Sequence, residues 1–358
     1  MTDAYAAAGV DTRQADRGVA ALVSVLSAID TGRERLAVPL PGHYASVIRI
    51  APNLGVALAT DSVGSKVIVA EQAQRFSTIG IDCVAMNVND LICVGAEPLA
   101  LLDYLAVESA DPGLLAELAE GLRAGATEAG VEIPGGEVCQ LPEVIRGHPS
   151  PYGFDLVGSA FGTVALDAII DGSACAPGDA VIGLPASGVH ANGLTLARRV
   201  LLEEGGLTMD ARPPGLEGAS VADVLLEPTV IYVRAVLELL RSDIPVHGLA
   251  HITGGGLLNL LRLGEGVGFE ITEPLRVLPV FSLIAELGDV PPAEMWEVFN
   301  MGCGFCAVVP AAEAERAVAL LAGRHPGTAV IGRVTDTGGR VSVPGVGIEG
   351  EGGRIRAV

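Results

Sequence analysis

Four aspartates stand in strongly apolar sequence between residues 60 and 104, namely Asp61, Asp82, Asp90 and Asp103. A carboxylate in such surroundings is costly to bury unless it pairs with a cation or binds a metal ion. Lys66 follows Asp61 by five residues, and Gly64 lies between them. Carboxylates can hold Mg²⁺, a lysine can meet phosphate oxygens, and a glycine lets the backbone approach a ligand. The segment therefore predicts a magnesium–polyphosphate site.

Two asparagines, Asn87 and Asn89, precede Asp90 in the run M-N-V-N-D-L, within a stretch of helical periodicity. Asparagine is a poor helix former, so its repeated use suggests a bound polar ligand, with helix capping or a solvated face as the alternative. Asp82 and Asp90 are eight residues apart, about 80° from a whole number of helical turns, so both can lean toward one groove. Glu137 follows a predicted glycine turn, Gly135-Gly136, for which a simple hairpin is the alternative.

Three further glycine-containing segments lie in the second half of the chain. In S-G-V-H-A-N-G (187–193), a predicted strand meets a predicted helix whose first backbone N–H groups suit a phosphate. His190 and Asn192 in that loop could contact substrate or transfer a proton, whereas a lone histidine is more often structural. H-I-T-G-G-G (251–256) is a second candidate phosphate turn, and Asn300 is a weaker ligand candidate. Ordinary tight turns are the alternative for both.

Alternating strand and helix patterns must position these groups. Strands are predicted over 47–50, 55–60, 99–107, 154–164, 180–184, 268–271, 306–309 and 328–334. Helices are predicted over 16–29, 72–95, 112–129, 195–204, 227–240 and 311–322. Each half has its own strands and helices, which predicts an α+β fold of two domains, 1–168 and 169–358.

The composition restricts the partners of this 358-residue chain. Lys and Arg number 22 against 43 Asp and Glu, and the net charge of −21 disfavours nucleic acid and anionic membranes. The same charge repels a free nucleotide, so Mg²⁺ and local basic residues would have to offset it. Cys303 and Cys306 form a C-x-x-C in apolar sequence without a second pair, which favours buried thiols. The sequence shows neither a signal-peptide pattern nor a long apolar run, so we expect a cytoplasmic protein.

Taken together, the segments resemble the phosphoribosylformylglycinamidine cyclo-ligase (AIR synthetase) family of purine biosynthesis. The resemblance runs from A-G-V-D (8–11) to about residue 334 and rests on eleven segments in one order. They are D-S-V-G-S-K, G-I-D-C-V-A-M-N-V-N-D-L, G-A-E-P-L, L-D-Y, G-G-E, F-D-L-V-G, G-D-A-V-I-G-L, S-G-V-H-A-N-G, L-E-P-T-V-I-Y-V, H-I-T-G-G-G and F-N-M-G-C-G. Any one segment is weak evidence, but their common order is specific.

The resemblance implies a two-domain AIR-synthetase-like fold whose N-terminal domains bind ATP and pair in a homodimer. The implied reaction closes the imidazole ring of formylglycinamidine ribonucleotide with ATP and Mg²⁺. The implied metal ligands are Asp61, Asp82, Asp90 and Glu137. The implied ATP-binding residues are Lys66, Asp61, Gly64, Ser65, Asn87, Asn89, Asp103, Gly135 and Gly136. The implied substrate-binding residues are Ser187, His190, Asn192, Gly193, His251, Thr253, Gly254, Gly255, Gly256 and Asn300. Lys66, His190 and Asp90 are the implied catalytic residues.

The chain departs from the family pattern at three places. L-P-G-H-Y-A-S-V-I (40–48) replaces a stretch rich in phenylalanine and glycine, Ser62 and Ser65 replace glycine and threonine, and Gln140 replaces a carboxylate. These departures suggest a divergent branch of the family rather than an inactive enzyme, because Asp61, Lys66, Asp90, Glu137 and His190 all remain. Two alternatives stay open. One is another phosphotransferase of the superfamily, similar to thiamine-monophosphate kinase or selenophosphate synthetase. The other is a non-catalytic relative that binds nucleotide and scaffolds a partner.

Overall fold

The computed structural model describes residues 12–264 and 266–358, so the A-G-V-D segment lies outside the described residues. The α-helices are α1 Thr12–Leu26, α2 Lys66–Ala73, α3 Ser77–Cys93, α4 Pro112–Ala129, α5 Leu194–Arg198, α6 Val221–Leu225, α7 Val233–Leu240, α8 Pro279–Gly288, α9 Pro292–Val298 and α10 Ala314–Ala322. The strands are β1 Ala37–Val38, β2 Ser46–Ala51, β3 Leu54–Ser62, β4 Glu97–Val107, β5 Glu132–Gln140, β6 Phe154–Ala165, β7 Ala180–Pro185, β8 Gly248–His251, β9 Gly268–Ile271, β10 Cys303–Val309, β11 Ala329–Thr335, β12 Arg340–Val343, β13 Ile348–Glu351 and β14 Arg354–Ala357. A 3₁₀ helix, Gly256–Leu263, follows β8.

The first half contains a six-stranded mixed sheet in the order β1-β2-β3-β6-β4-β5, in which only β4 and β5 run parallel among the described pairs. Helices α3 and α4 cover one face. They pack with their backbones in contact, because a Cβ on Gly80 would lie 2.2 Å from Leu122 N and one on Gly121 would lie 2.0 Å from Ser77 O. The close approach fixes α3, which carries most of the candidate site residues of this half.

The other face of this sheet is apolar and open. Its outward-pointing side chains alternate with buried ones along β3, β4 and β6. The exposed large apolar residues on it are Leu58, Leu99, Leu102, Tyr104 and Phe161. Isolated exposed apolar residues are ordinary, but a contiguous patch indicates an interaction surface.

The second half contains an eight-stranded sheet in the order β14-β13-β12-β9-β11-β7-β10-β8, with helices packed around it. Every residue of β10 is buried, which accounts for its unbroken apolar sequence and places Cys303 and Cys306 in the core. The predicted α+β architecture with a mixed sheet in each half is confirmed. The two sheets are joined by residues 166–179, where the boundary at 168 stays a prediction.

Three local predictions were wrong. The helix predicted over 72–95 is two helices, because the chain turns at Gln74, whose φ is +51°. The G-G-E segment is part of β5 rather than a turn. The helix predicted over 227–240 begins only at Val233, since residues 227–232 form hydrogen bonds to the first half of the chain instead. Helices α2, α6, α8 and α9 and strands β1, β5, β8 and β12 to β14 were not predicted from the sequence.

Candidate active site

Lys66 and Asp82 form a fully shielded ion pair where the two halves meet. Lys66 Nζ lies 3.0 Å from Oδ1 and 2.9 Å from Oδ2 of Asp82, and both side chains have 0% exposure. From the second half, Glu227 O accepts a 2.6 Å hydrogen bond from Lys66 Nζ. Thr229 donates to Asp82 Oδ1 from its backbone N at 2.8 Å and from its Oγ1 at 2.6 Å. The pair therefore connects α2 and α3 to residues 227–229 of the other half.

This arrangement shows why a carboxylate is stable at position 82. A buried charge requires a partner of opposite sign and further hydrogen bonds, and Asp82 has both. Its Oδ1 accepts these hydrogen bonds, whereas Oδ2 lies against Lys66 Nζ and has no hydrogen-bond partner among the described residues. Because the whole side chain is shielded from solvent, the structure does not expose Asp82 to a metal ion. Lys66, the only lysine in the chain, is likewise held out of reach of an exposed ligand.

Asn89 makes a second connection between the halves. Its Nδ2 donates to Val230 O at 2.8 Å, and its Oδ1 accepts from the backbone N of Tyr232 at 3.0 Å. Both ends of the amide thus satisfy backbone groups of a segment that is not helical. A packing role explains this asparagine within a helix without a bound ligand.

Asp90 is paired with a histidine from the second half. His251 Nδ1 lies 2.8 Å from Asp90 Oδ1, so the ring donates its Nδ1–H to the carboxylate. The imidazole is fully buried, whereas the aspartate side chain keeps 20% of its exposure. The pair therefore leaves part of the carboxylate accessible to solvent.

Asp61 and Asp103 lie in one row of the first sheet. The register places Asp61 opposite Gly158, Gly158 opposite Asp103, and Asp103 opposite Gly136. The glycines leave room for neighbouring side chains, because a Cβ on Gly136 would lie 2.3 Å from Asp103 Oδ1. A Cβ on Gly158 would lie 2.4 Å from the Nδ2 of a helix residue, Asn87. The row thus faces α3.

The electrostatics of this row favour a cation. Burial raises the pKa of Asp61, and the charge of Asp90 raises it further. Burial also raises the pKa of Asp103. Asn87 donates from Nδ2 to Asp61 O at 3.2 Å and to Cys83 O at 2.9 Å, while its buried Oδ1 has no hydrogen-bond partner. The carboxylates of Asp61 and Asp90 and the unsatisfied Oδ1 of Asn87 are hard oxygen atoms of the kind that Mg²⁺ prefers.

Glu137 does not join this set. Its register partner is Tyr104, one position beyond Asp103, so its side chain points to the opposite, open face of the sheet. Within the described residues, no three His, Cys, Asp or Glu side chains form a group that could hold a metal ion. Asp61 lies near enough to Asp90 for that charge to raise its pKa, whereas Asp82 pairs with Lys66 and Glu137 lies on the other face.

The loop 187–193 is shaped by its own hydrogen bonds. The backbone N of Ser187 donates to His190 Nε2 at 3.2 Å, and Asn300 Nδ2 donates to Gly188 O at 3.0 Å. His190 is buried, and burial holds the pKa of its imidazole well below the usual value. A Cβ on Gly193, whose φ is +74°, would lie 2.3 Å from the ring of Phe299. His190 and Asn300 therefore stabilise the loop, and His190 Nδ1 has no partner.

The glycine turn 253–256 is more exposed than the loop 187–193. Asn259 Nδ2 donates to Gly254 O at 3.1 Å and to Gly256 O at 2.8 Å, which orients the turn. A Cβ on Gly254 would lie 3.3 Å from Asn192 Oδ1, so this asparagine and the turn meet. Gly254 is exposed, and Asn192, Thr253 and Gly255 are half-buried. The turn, with Asn192 beside it, is the exposed glycine-rich surface of the second half.

Comparison with known proteins identifies the family. The family model described as AIR synthase related protein, N-terminal domain, matches residues 42–164, and its C-terminal counterpart matches residues 176–344. The chain is 46% identical over 340 residues to the phosphoribosylformylglycinamidine cyclo-ligase of Methanothermobacter thermautotrophicus, covering 95% of this chain and 96% of the relative. It is 47% identical over 351 residues to that of Thermococcus kodakarensis, covering 97% and 98%.

The chain belongs to the phosphoribosylformylglycinamidine cyclo-ligase family.

Two solved structures of low sequence identity share the fold of this chain. The HypE–HypF complex contains a chain with a TM-score of 0.61 and 22% identity, covering 94% of this chain and 99% of that chain. AaThiL complexed with AMPPCP and TMP has a TM-score of 0.61 and 18% identity, covering 94% and 95%. The predicted family, fold and enzyme class are confirmed. Among the described residues, no helix is both long and apolar enough to cross a membrane.

Sequence reasoning missed the residues that join the halves. Thr229 and the carbonyl of Glu227 complete the Lys66–Asp82 site, although they lie within the L-E-P-T segment of the family resemblance. The available signal was Pro228, which disfavours the α conformation in the residue before it and removes a backbone donor. A segment so interrupted is free to pair with side chains of another element.

Proposed function

We propose that the chain catalyses the ATP-dependent ring closure of formylglycinamidine ribonucleotide to aminoimidazole ribonucleotide, with release of ADP and phosphate. The observation that carries the proposal is the 46% identity to a curated cyclo-ligase over 95% of the chain. ATP phosphorylates the formamide oxygen, the amidine nitrogen attacks that carbon, and the C–O bond to phosphate breaks. Such a transfer requires positioning and charge neutralisation more than a strong base.

Asp61, Asp90 and Asn87, through its Oδ1, are the residues that would hold Mg²⁺. The fit rests on the amide oxygen that lacks a hydrogen-bond partner and on two carboxylates whose negative charges repel each other, so that a cation would stabilise both. Protein Mg²⁺ sites commonly use one or two carboxylates and complete the shell with water and phosphate, so a larger protein cluster is not needed. The bound ion would neutralise charge on the ATP phosphates. Exposed Gly64, with Gly135 and Gly136, would let the backbone approach them.

The second half supplies the substrate side of the cleft. Gly254 and Gly255 would receive the substrate through backbone N–H groups, and Asn192 lies against the same turn. His251 orients Asp90 through its Nδ1–H, which ties the two sides of the cleft together. In this proposal Lys66 and Asp82 act by positioning the halves, and neither touches a reacting atom. The predicted contact of Lys66 with ATP would require it to leave Asp82.

We also propose a homodimer formed by the open face of the first sheet. Leu58, Leu102 and Phe161 are 40%, 47% and 37% exposed on neighbouring strands, and a second copy would bury them. The face is apolar in a chain with net charge −21, which favours burial against an identical apolar face over contact with an acidic partner. A cytoplasmic location stays a prediction.

The proposal is tested with Asp61→Asn and a matched control, Asp210→Asn, at an exposed position. Formation of aminoimidazole product is followed with ATP, Mg²⁺ and formylglycinamidine ribonucleotide. We expect Asp61→Asn to lower kcat at least 100-fold without loss of the folded state, and Asp210→Asn to match wild type. Equal activity of the two variants would show that Asp61 is not part of the active site.

A further inference from the structure

A cleft of about 540 Å³ lies between the two halves, and its lining includes no residue of the carboxylate row. On one side it is lined by the loop 39–43, which is the segment that departs from the family pattern. On the other side it is lined by Leu258, Leu261 and Arg262 of the 3₁₀ helix, with Asp171 at its margin. The 3₁₀ helix starts at Gly256, the last residue of the glycine turn.

Arg262 provides the cleft with an available positive charge. Its guanidinium carbon lies 4.7 Å above the centroid of the Tyr44 ring, and Tyr44 OH donates to Asn259 O at 3.0 Å. The stacked ring orients the guanidinium, and no residue that the structure describes accepts a hydrogen bond from its N–H fork. In the part of the chain that the structure describes, Arg262 forms no ion pair with a carboxylate. In a protein of net charge −21, such an arginine is well placed for an anion.

His43 provides two further polar atoms. Its Nδ1 and Nε2 are both shielded from solvent and have no hydrogen-bond partner. Burial lowers the pKa of His43 to about 4, so at neutral pH the ring is uncharged and carries one donor and one acceptor. An unsatisfied buried ring is costly, and a ligand toward which the ring turns would recover that cost by bonding to it. Asp171 accepts from Ser173 N at 2.9 Å, so its charge is partly compensated within its own turn.

We propose that Arg262 and His43 form a subsite for the phosphate group of a sugar phosphate. Arginine binds phosphate through paired N–H donors, and a phosphate or the adjoining sugar hydroxyl matches the donor and acceptor of the neutral imidazole. The volume exceeds that of a single anion and accommodates a pentose phosphate. The inference rests on the proposed function for its two sources of phosphate, which are the ribonucleotide substrate and ATP.

Binding of ribose 5-phosphate, measured by calorimetry, tests the subsite without turnover. We expect Arg262→Gln to weaken binding at least tenfold, Arg262→Lys to be intermediate because it keeps the charge and loses the fork, and His43→Asn to weaken it severalfold. Arg324→Gln, which removes an arginine paired with Glu238 on another surface, is the control and should match wild type. Thermal unfolding of each variant checks that the Tyr44 stack is not the cause of a loss.

Steady-state kinetics distinguish the two sources. A tenfold higher KM for the ribonucleotide in Arg262→Gln, with kcat and the KM for ATP unchanged, assigns the subsite to the ribonucleotide, and the reverse pattern assigns it to ATP. Equal ribose 5-phosphate affinity in wild type and Arg262→Gln overturns the subsite, as does failure of wild type to bind this probe. If binding is lost in Arg262→Gln while wild type forms no aminoimidazole product, the subsite stands and the proposed function fails.

Discussion

The buried Lys66–Asp82 pair gives the sharpest test of how the halves are held together. Replacing Lys66 with methionine keeps the length of the side chain and leaves a charged, fully shielded carboxylate without its cation. Removing one partner of a buried pair costs about 3–5 kcal/mol, because the remaining charge is uncompensated. The double variant Lys66→Met/Asp82→Asn removes both charges and keeps an oxygen that accepts from Thr229. We expect it to recover about 2 kcal/mol of the loss.

Urea unfolding followed by fluorescence of the single tryptophan, Trp296, measures the free energy of unfolding of each variant. Trp296 is buried in the second half of the chain. A loss of stability that its fluorescence detects after a substitution in the first half therefore reports on the contact between the two halves. Because Lys66 is the only lysine, acylation of its amine also reports its exposure directly. We expect no modification of Lys66 in the native protein. Modification of native Lys66 that ATP prevents, with stability of Lys66→Met within 1 kcal/mol of wild type, would refute the buried pair and restore a phosphate contact.

Three other predictions follow from the structure. Phe161→Glu should convert the proposed dimer to a monomer in light scattering, because it places a charge on the open face of the first sheet. The control Val330→Glu, at an exposed apolar residue of the second sheet, should remain a dimer. A dimer in both variants would indicate another interface. The pKa of His43 is about 4 in the folded protein against 6.5 in the unfolded chain, so protonation favours unfolding. The contribution of His43 to the free energy of unfolding is fully present above pH 6.5 and should fall by up to about 3 kcal/mol as the pH drops to 4. Wild type should therefore lose stability relative to His43→Asn over that range, and parallel pH curves would count against the shielded ring. Gly158→Ala should lower kcat at least tenfold while the chain remains folded, since its Cβ would displace Asn87, and unchanged kcat would separate Asn87 from catalysis.

Elements with strong local signals were predictable. Helix α4 matches the predicted range 112–129 because Asp111 caps its start, Pro112 suits its first turn, and Gly130 takes the left-handed conformation at its end. The G-G-E segment was misassigned since glycine normally indicates a turn. Here Gly136 serves a strand instead, by leaving room for the side chain of Asp103.

The roles of the buried charges were not predictable from sequence. A carboxylate in apolar sequence is stabilised equally well by a metal ion or by a buried cation with hydrogen bonds, and both solutions use an aspartate near a lysine. The choice depends on Thr229, which lies 147 residues from Asp82 along the chain. Asp82 and Asp90 both contact the second half of the chain. They do not share one ligand, because Asp82 pairs with Lys66 and Asp90 pairs with His251.

The most direct test of the central claim is the stoichiometry of ADP and aminoimidazole ribonucleotide in one reaction. Purified protein is incubated with ATP and Mg²⁺, with and without formylglycinamidine ribonucleotide, and both products are quantified. The account predicts ADP release that depends on the ribonucleotide, with one aminoimidazole formed for each ADP. ADP release without the aminoimidazole product, or no ADP release with the ribonucleotide present, would contradict it.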